Sequence, residues 1–367
     1  MTNPTHPTRA ISLLMAVAAL VLFAAACGGG TDGADSDGAQ NETPTTIGSS
    51  PTSSDAAVED EIGDPIPEGP VAPFTGLPVN GEIGRPALAV KIDNLNAKAR
   101  PQAGINQADV VFEIRVEGIT RFMAVYHSTD ADVVGPVRSA RTSDINVLNM
   151  LSVPMFTNSG MNAGTRRLLN SQGNFIDANV DVYPAEFYRE RSRPSTHNLM
   201  TGTAQLWSHV DETDDPEPLF AFRPRGGDLP GNAVEVAGVD IAYRGGGGAR
   251  ASYRWDQAVQ GWARTQQDTP HVDEDDLQVA PANVVVMFVE YGVSQAASIS
   301  PEAKTVGSGE AWVLTEGHLI EGTWERPSST DLPTFTDTNG DEIQLTPGRT
   351  WIALPDPGTV TLVATDG

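Results

Sequence analysis

Two arginines three positions apart, Arg138 and Arg141, follow a glycine–proline break in the stretch V-V-G-P-V-R-S-A-R-T-S-D-I (133–145). Guanidinium groups are planar forks matched to carboxylates and phosphates, so the pair is a candidate anion binder. Gly135-Pro136 ends a strand, and Ser139 to Thr142 fall in the first turn of the helix predicted to follow. A helix start adds unpaired N–H groups and a partial positive charge, which also suit an anion. The same arginines have a plainer use, pairing with Glu113, Glu117 or Asp144 to hold the fold together.

Glu113 and Glu117 alternate onto one face of D-V-V-F-E-I-R-V-E-G (109–118), which raises a glycosidase-like carboxylate pair. Four strand residues span roughly 13 Å, against about 5–9.5 Å between the carboxyls of such enzymes. Arg115 between them favours an ion-pair ladder instead. His197-Asn198, in R-S-R-P-S-T-H-N-L (191–199), lies on a loop ahead of a predicted helix, with Arg191 and Arg193 nearby. Such a histidine can move protons or bind a ligand, and can equally cap or pack. The stretch D-T-N-G-D-E (337–342) resembles the start of a calcium loop, but Glu342 stands where glycine is required and Gly348 where a glutamate is. An Asn-Gly hairpin turn explains it better. No metalloprotease, nucleophile-elbow, Ser-x-x-Lys or phosphate-loop signature occurs, and neither a cofactor nor a metal is expected.

The elements that must position these groups alternate in type. Residues 85–94 and 153–159 read as strands, and 109–118 with 119–128 as a hairpin turned near Gly118. On the first of these, Val110, Phe112, Ile114 and Val116 face one way, and Val111, Glu113, Arg115 and Glu117 the other. Helical spacing covers Thr142 to Leu151, Thr165 to Leu169 and Thr203 to Val210. The acidic segment D-E-T-D-D-P-E-P (211–218) marks a boundary. Beyond it, 253–264, 283–291, 311–324 and 349–354 read as β. The fold class expected is α+β, with a mixed α/β domain over 71–215 and a mostly β domain over 232–367.

Residues 1–26 carry a single basic side chain and an apolar run, Ala10 to Ala26, ending in A-A-A-C-G-G-G: the pattern of a secretory signal peptide. Small residues before Cys27, the chain's only cysteine, resemble a bacterial lipobox with Cys27 as the lipidated residue. Ala24 stands where leucine is commonest. Residues 27–70 are rich in Gly, Ser, Thr, Asp and Pro, a disordered tether of roughly 35–40 Å average span. One cysteine excludes an internal disulfide or a thiolate metal site. A net charge of −25 argues against nucleic acid, and makes a lipid chain the better account of membrane attachment.

The motifs K-I-D-N (91–94), A-R-P-Q-A-G-I (99–105), A-D-V-V-F-E-I (108–114), E-G-I-T-R-F (117–122), G-P-V-R-S-A-R (135–141) and H-N-L (197–199) occur in order. With N-V-V-V (283–286), E-G-T-W (321–324) and P-G-R-T-W-I (347–352), they make the chain resemble the YerB-like bacterial lipoproteins, built on N- and C-terminal modules of domain of unknown function 3048. A single glycine, Gly118, stands where that family has two. The resemblance implies a lipid-anchored envelope protein with no established reaction. It also implies a set of motif residues: Asp93, Asn94, Arg100, Glu113, Glu117, Arg121, Arg138, Ser139, Arg141, His197 and Asn198. The reading that follows is a non-catalytic, extracytoplasmic, membrane-anchored binding or accessory module for an anionic envelope ligand such as a peptidoglycan fragment. Its rivals are a cell-wall hydrolase or transferase using Glu113 or His197, and a scaffold for a membrane-bound cell-wall synthesis complex.

Overall fold

The segment containing K-I-D-N folds as strand β1 (Leu88–Ile92), every residue of it buried. The computed structural model describes residues 69–224, 226–245 and 249–365. The signal segment, Cys27 and nearly all of the expected tether lie outside the described residues. Strands β2 (Val110–Arg115) and β3 (Thr120–Tyr126) form the expected hairpin, with Ile114 opposite Arg121 and Glu113 opposite Phe122. The turn passes through Gly118 at φ 70°, a left-handed conformation that glycine adopts without steric cost.

Strands β4 (Met155–Thr157) and β5 (Ile176–Asp177) continue the sheet beyond β1, giving the order β2-β3-β1-β4-β5. On the other side of β2 stand Thr350–Leu354, Asn283–Met287, Gly307–Thr315, His318–Arg326 and Thr334–Asp337 in turn. With Val234–Glu235 paired to His318–Arg326, the sheet has eleven strands. The acidic segment 211–218 therefore divides the sequence but not the sheet. The junction is parallel, Thr350 beside Val110 and Leu354 beside Ile114. Thr350–Leu354 and the adjoining Asn283–Met287 are buried along their whole length, as strands covered on both faces are.

One cover is a five-stranded antiparallel sheet, ordered Thr269–Pro270, Gly261–Gln266, Arg250–Asp256, Gly238–Ala242, Val360–Val363. Tyr253 and Trp262 from it pack with Val111, Phe122 and Trp351 of the central sheet. The opposite face of β2, through Val110, Phe112 and Ile114, packs on Ile145, Leu148 and Leu169. The face predicted to be polar is thus interior as well.

The fold is mostly β, with a mixed sheet and few helices: α1 (Asn96–Ala99), α2 (Ser143–Leu148), α3 (Ala163–Gln172) and α4 (Thr203–Trp207). Helix α2 stops short of the expected Leu151. Ser152 and Val153 have positive φ, and Pro154 disfavours helical geometry in the residue before it. The stretch 337–342 is a turn in which Asp337 Oδ1 accepts from the Asn339 and Asp341 amides, with Gly340 at φ 91°.

Candidate functional site

The segment after Gly135 is clamped on three sides. Val137 N–H donates to Leu199 O at 2.7 Å, Arg138 N–H to Lys91 O at 2.7 Å, and Ser159 N–H to Arg138 O at 3.0 Å. A Cβ on Gly135 would lie 2.9 Å from Leu199 O and from Met200 Sδ, so only glycine admits this approach. The neighbouring hairpin of Tyr188–Arg189 with Leu199–Met200 carries His197 in its loop. Residues distant in sequence thereby meet at the end of β1. His197 Nδ1 lies 2.7 Å from Asp93 Oδ2, and Arg138 Nε lies 3.2 Å from the same oxygen. The latter is an ion pair whose N–H is not aligned for a hydrogen bond; a second Arg138 nitrogen donates to Thr196 O at 2.9 Å. Asp93 and His197 are buried, and Arg138 is partly exposed.

Arg141 grips Glu117 with two nitrogens, at 2.8 and 2.9 Å, and Ser300 donates to the same carboxylate. Burial alone would raise the Glu117 carboxyl, but the Arg141 and Ser300 hydrogen bonds outweigh it and hold the group down to about 2. Beneath them Lys91 and Asp144 form a fully buried pair at 2.7 Å.

Arg121 differs from its neighbours. It is 6 % exposed and donates to Ser139 O at 2.7 Å, yet its Nε finds no partner and it makes no ion pair among the described residues. Burial, with Arg141 and Arg138 nearby, lowers its guanidinium to about 10 against the opposing pull of Asp93 and Glu117. Four basic side chains (Lys91, Arg121, Arg138, Arg141) thus stand against three carboxylates (Asp93, Glu117, Asp144), and Arg121 is the one of the four without a salt bridge among the described residues. A buried charge without an ion-pair partner is costly, which makes Arg121 the candidate anion-binding group of the cluster.

The helix start expected to hold an anion is covered. Thr142, Ser143 and Asp144 are buried, Thr142 donates to Ser294 Oγ at 2.9 Å, and Ser143 Oγ accepts from the Ala303 amide at 2.9 Å. The two-stranded hairpin of Tyr291–Ser294 and Ala297–Ala303 occupies the place. The arginines are retained as candidates and the helix N-terminus is not.

Glu113 lies elsewhere. One Arg264 nitrogen reaches both of its oxygens, at 2.9 and 3.0 Å; Thr120 donates at 2.8 Å and Trp351 Nε1 at 3.2 Å. Arg264 also donates to Tyr253 Oη and to His271 Nδ1, and its guanidinium carbon lies 4.7 Å from the Trp351 ring centroid. His271 is held neutral, its basicity pushed well down by burial and by Arg264. Because Arg264 can only donate, His271 Nδ1 accepts, and Nε2 donates to Gln102 Oε1 at 2.9 Å. Glu113, Arg264, His271 and Gln102 are each at most 2 % exposed. A general acid must reach a substrate, and Glu113 has no open side, so its proposed catalytic role does not fit.

Asn94 belongs to this network, donating to Thr120 Oγ1 at 2.8 Å. Arg100 is at its margin, reaching Asn96 O and Gln267. Asn198 turns to Arg189. Ser139 lies beside the arginines, 3.5 Å from Ser159 by their hydroxyl oxygens. Among the described residues no group of three or more His, Cys, Asp or Glu could hold a metal, and no helix is long and apolar enough to cross a membrane.

Models of a family described as a protein of unknown function (DUF3048) match residues 74–215 with the N-terminal domain and 239–352 with the C-terminal domain. The chain belongs to the DUF3048 family. It is 26 % identical over 294 residues to a Bacillus subtilis protein named "Putative lipoprotein YerB", covering 78 % of this chain and 86 % of the relative. The crystal structure of the Bacillus subtilis YerB protein superposes with a TM-score of 0.68 at 24 % identity, over 80 % of this chain and 99 % of that one. In DUF3048 terms, the arginine cluster around Arg121 is mostly N-terminal, with Ser300 contributed by the C-terminal domain. Glu113 and Arg264 join the two domains from inside.

Proposed function

We propose that this DUF3048 protein is a lipid-anchored accessory protein of the cell envelope that captures an anionic ligand through Arg121, Arg138 and Arg141. The observation that carries the reading is Arg121, a buried guanidinium whose Nε has no partner and which makes no ion pair among the described residues, flanked by two further arginines. The anchor rests on the apolar run that ends at Cys27, and on the lipoprotein name of the Bacillus subtilis relative. A peptidoglycan fragment is the ligand class to try first on an extracytoplasmic face. Thermal denaturation of the full chain with inorganic phosphate, acetate and muropeptides tests the site. A ligand at 100 times its dissociation constant stabilises by about 2.7 kcal/mol. The reading expects such a rise in the native protein and none in Arg121→Gln; no rise with any anion refutes it.

A scaffold for a membrane-bound cell-wall synthesis complex is the second reading. It draws on Val293 and Ile299, 70 % and 80 % exposed on the hairpin that packs over α2. Loss of partner pull-down in Val293→Asp/Ile299→Asp, with anion binding intact, would favour it.

A further inference from the structure

Resting on the anion site just proposed, we infer that its occupant is a phosphate-type oxyanion, a phosphomonoester or inorganic phosphate, with His197 Nε2 meeting one of its oxygens. The donors come from three separate segments: Arg121 from β3, Arg138 from the clamped segment, and His197 from the hairpin loop. A carboxylate offers two oxygens in one plane, which a single guanidinium fork satisfies. A phosphate offers three terminal oxygens in different directions, which donors from separate elements can share.

Charge points the same way. An ionised carboxylate can pair with Arg121 but has no proton to give an accepting imidazole nitrogen. His197 spends Nδ1 on Asp93, and its Nε2 takes no partner among the described residues. With Nδ1 donating to the Asp93 carboxylate, Nε2 of the neutral ring accepts from a protonated phosphate monoanion, and the doubly protonated ring would donate to the dianion. Asp93 is the positioning residue, holding the imidazole and Arg138 side by side on one oxygen. There is also room. Ser139 and Ser159 are only partly buried, and a Cβ on Gly160 would meet nothing within 4 Å.

Isothermal titration of the full chain in detergent, with inorganic phosphate, glycerol phosphate and acetate in turn, is the test. The inference expects both phosphates to bind at least tenfold more tightly than acetate. His197→Gln, which keeps a hydrogen-bonding group beside Asp93, should weaken phosphate about tenfold and leave acetate unchanged. Acetate binding as tightly as phosphate would overturn the ligand class while leaving an anion site standing. If none of the three binds, the site itself is refuted. The wild-type comparison does not depend on any variant folding, and Arg121→Lys supplies a charge-retaining control expected to bind phosphate more weakly.

Discussion

Glu113 and Glu117, four residues apart, are held by arginines on opposite faces of the central sheet: Arg264 for the first, Arg141 for the second. The hairpin ends between them, which releases Glu117 from the strand's alternation. One carboxylate thereby joins the two DUF3048 domains, and the other flanks the candidate anion site.

Removing Arg264 strands a buried carboxylate. Arg264→Met should cost about 3–5 kcal/mol, because breaking one side of a buried pair leaves an uncompensated charge. Urea unfolding measures it. Glu113→Gln combined with Arg264→Met should recover much of the loss. A cost below about 1 kcal/mol would mean that Thr120, Trp351 and Tyr253, whose hydroxyl lies 3.4 Å from Glu113 Oε2, suffice for Glu113 alone.

Glu117 gives a pH signature. Its carboxyl is held down to about 2 in the fold, below its ordinary 4.5. Stability from this group is therefore present above pH 4.5 and lost as pH falls from there toward 2. Melting temperatures across that window should fall less steeply in Glu117→Gln than in the native protein. Parallel curves would show that the Arg141 contact adds nothing to folding.

His271 acts higher on the scale. Its folded form is held neutral, so the unfolded chain binds a proton that the fold does not. Stability is full above the ordinary histidine range and declines as pH falls below about 6.5. His271→Gln, able to accept from Arg264 and donate to Gln102, should remove that part of the acid sensitivity in a calorimetric pH series. An unchanged slope between pH 7 and 5 contradicts the assignment.

The proposed anion site implies a stability cost at Arg121. With no anion present, Arg121→Gln relieves repulsion from Arg138 and Arg141, and can keep a hydrogen bond to Ser139 O. The ligand-free variant should be more stable by about 1 kcal/mol. A destabilised variant in phosphate-free buffer would argue that Arg121 is structural.

Local signals made much of the N-terminal half legible. Alternating Val110, Phe112 and Ile114 located β2, Gly118 located the turn, and the spacing of Ile145 and Leu148 located α2. The motif set also contained Asp93, Arg121, Arg138 and His197, which the fold brings together. What did not show was pairing across distance. Arg264 lies 151 positions from Glu113 and has no local pattern that marks it. The period of two correctly separated the faces of β2, but periodicity cannot show that a second sheet covers the polar one. The helix-start reading of Arg141 failed for a similar reason, since Ser294 and Ala303 come from a hairpin about 150 residues onward.

The parallel contact between β2 and Thr350–Leu354 has a bearing on biogenesis. The strand V-V-F-E-I-R gains its outer neighbour only after residue 354 has been made. A polypeptide emerging N-terminus first carries an open, apolar sheet edge for more than two hundred residues of elongation, the condition under which strands pair with the wrong chain. Fragments ending near residue 215 keep that edge indefinitely and should be recovered as aggregates. The full chain hides it with its last long strand.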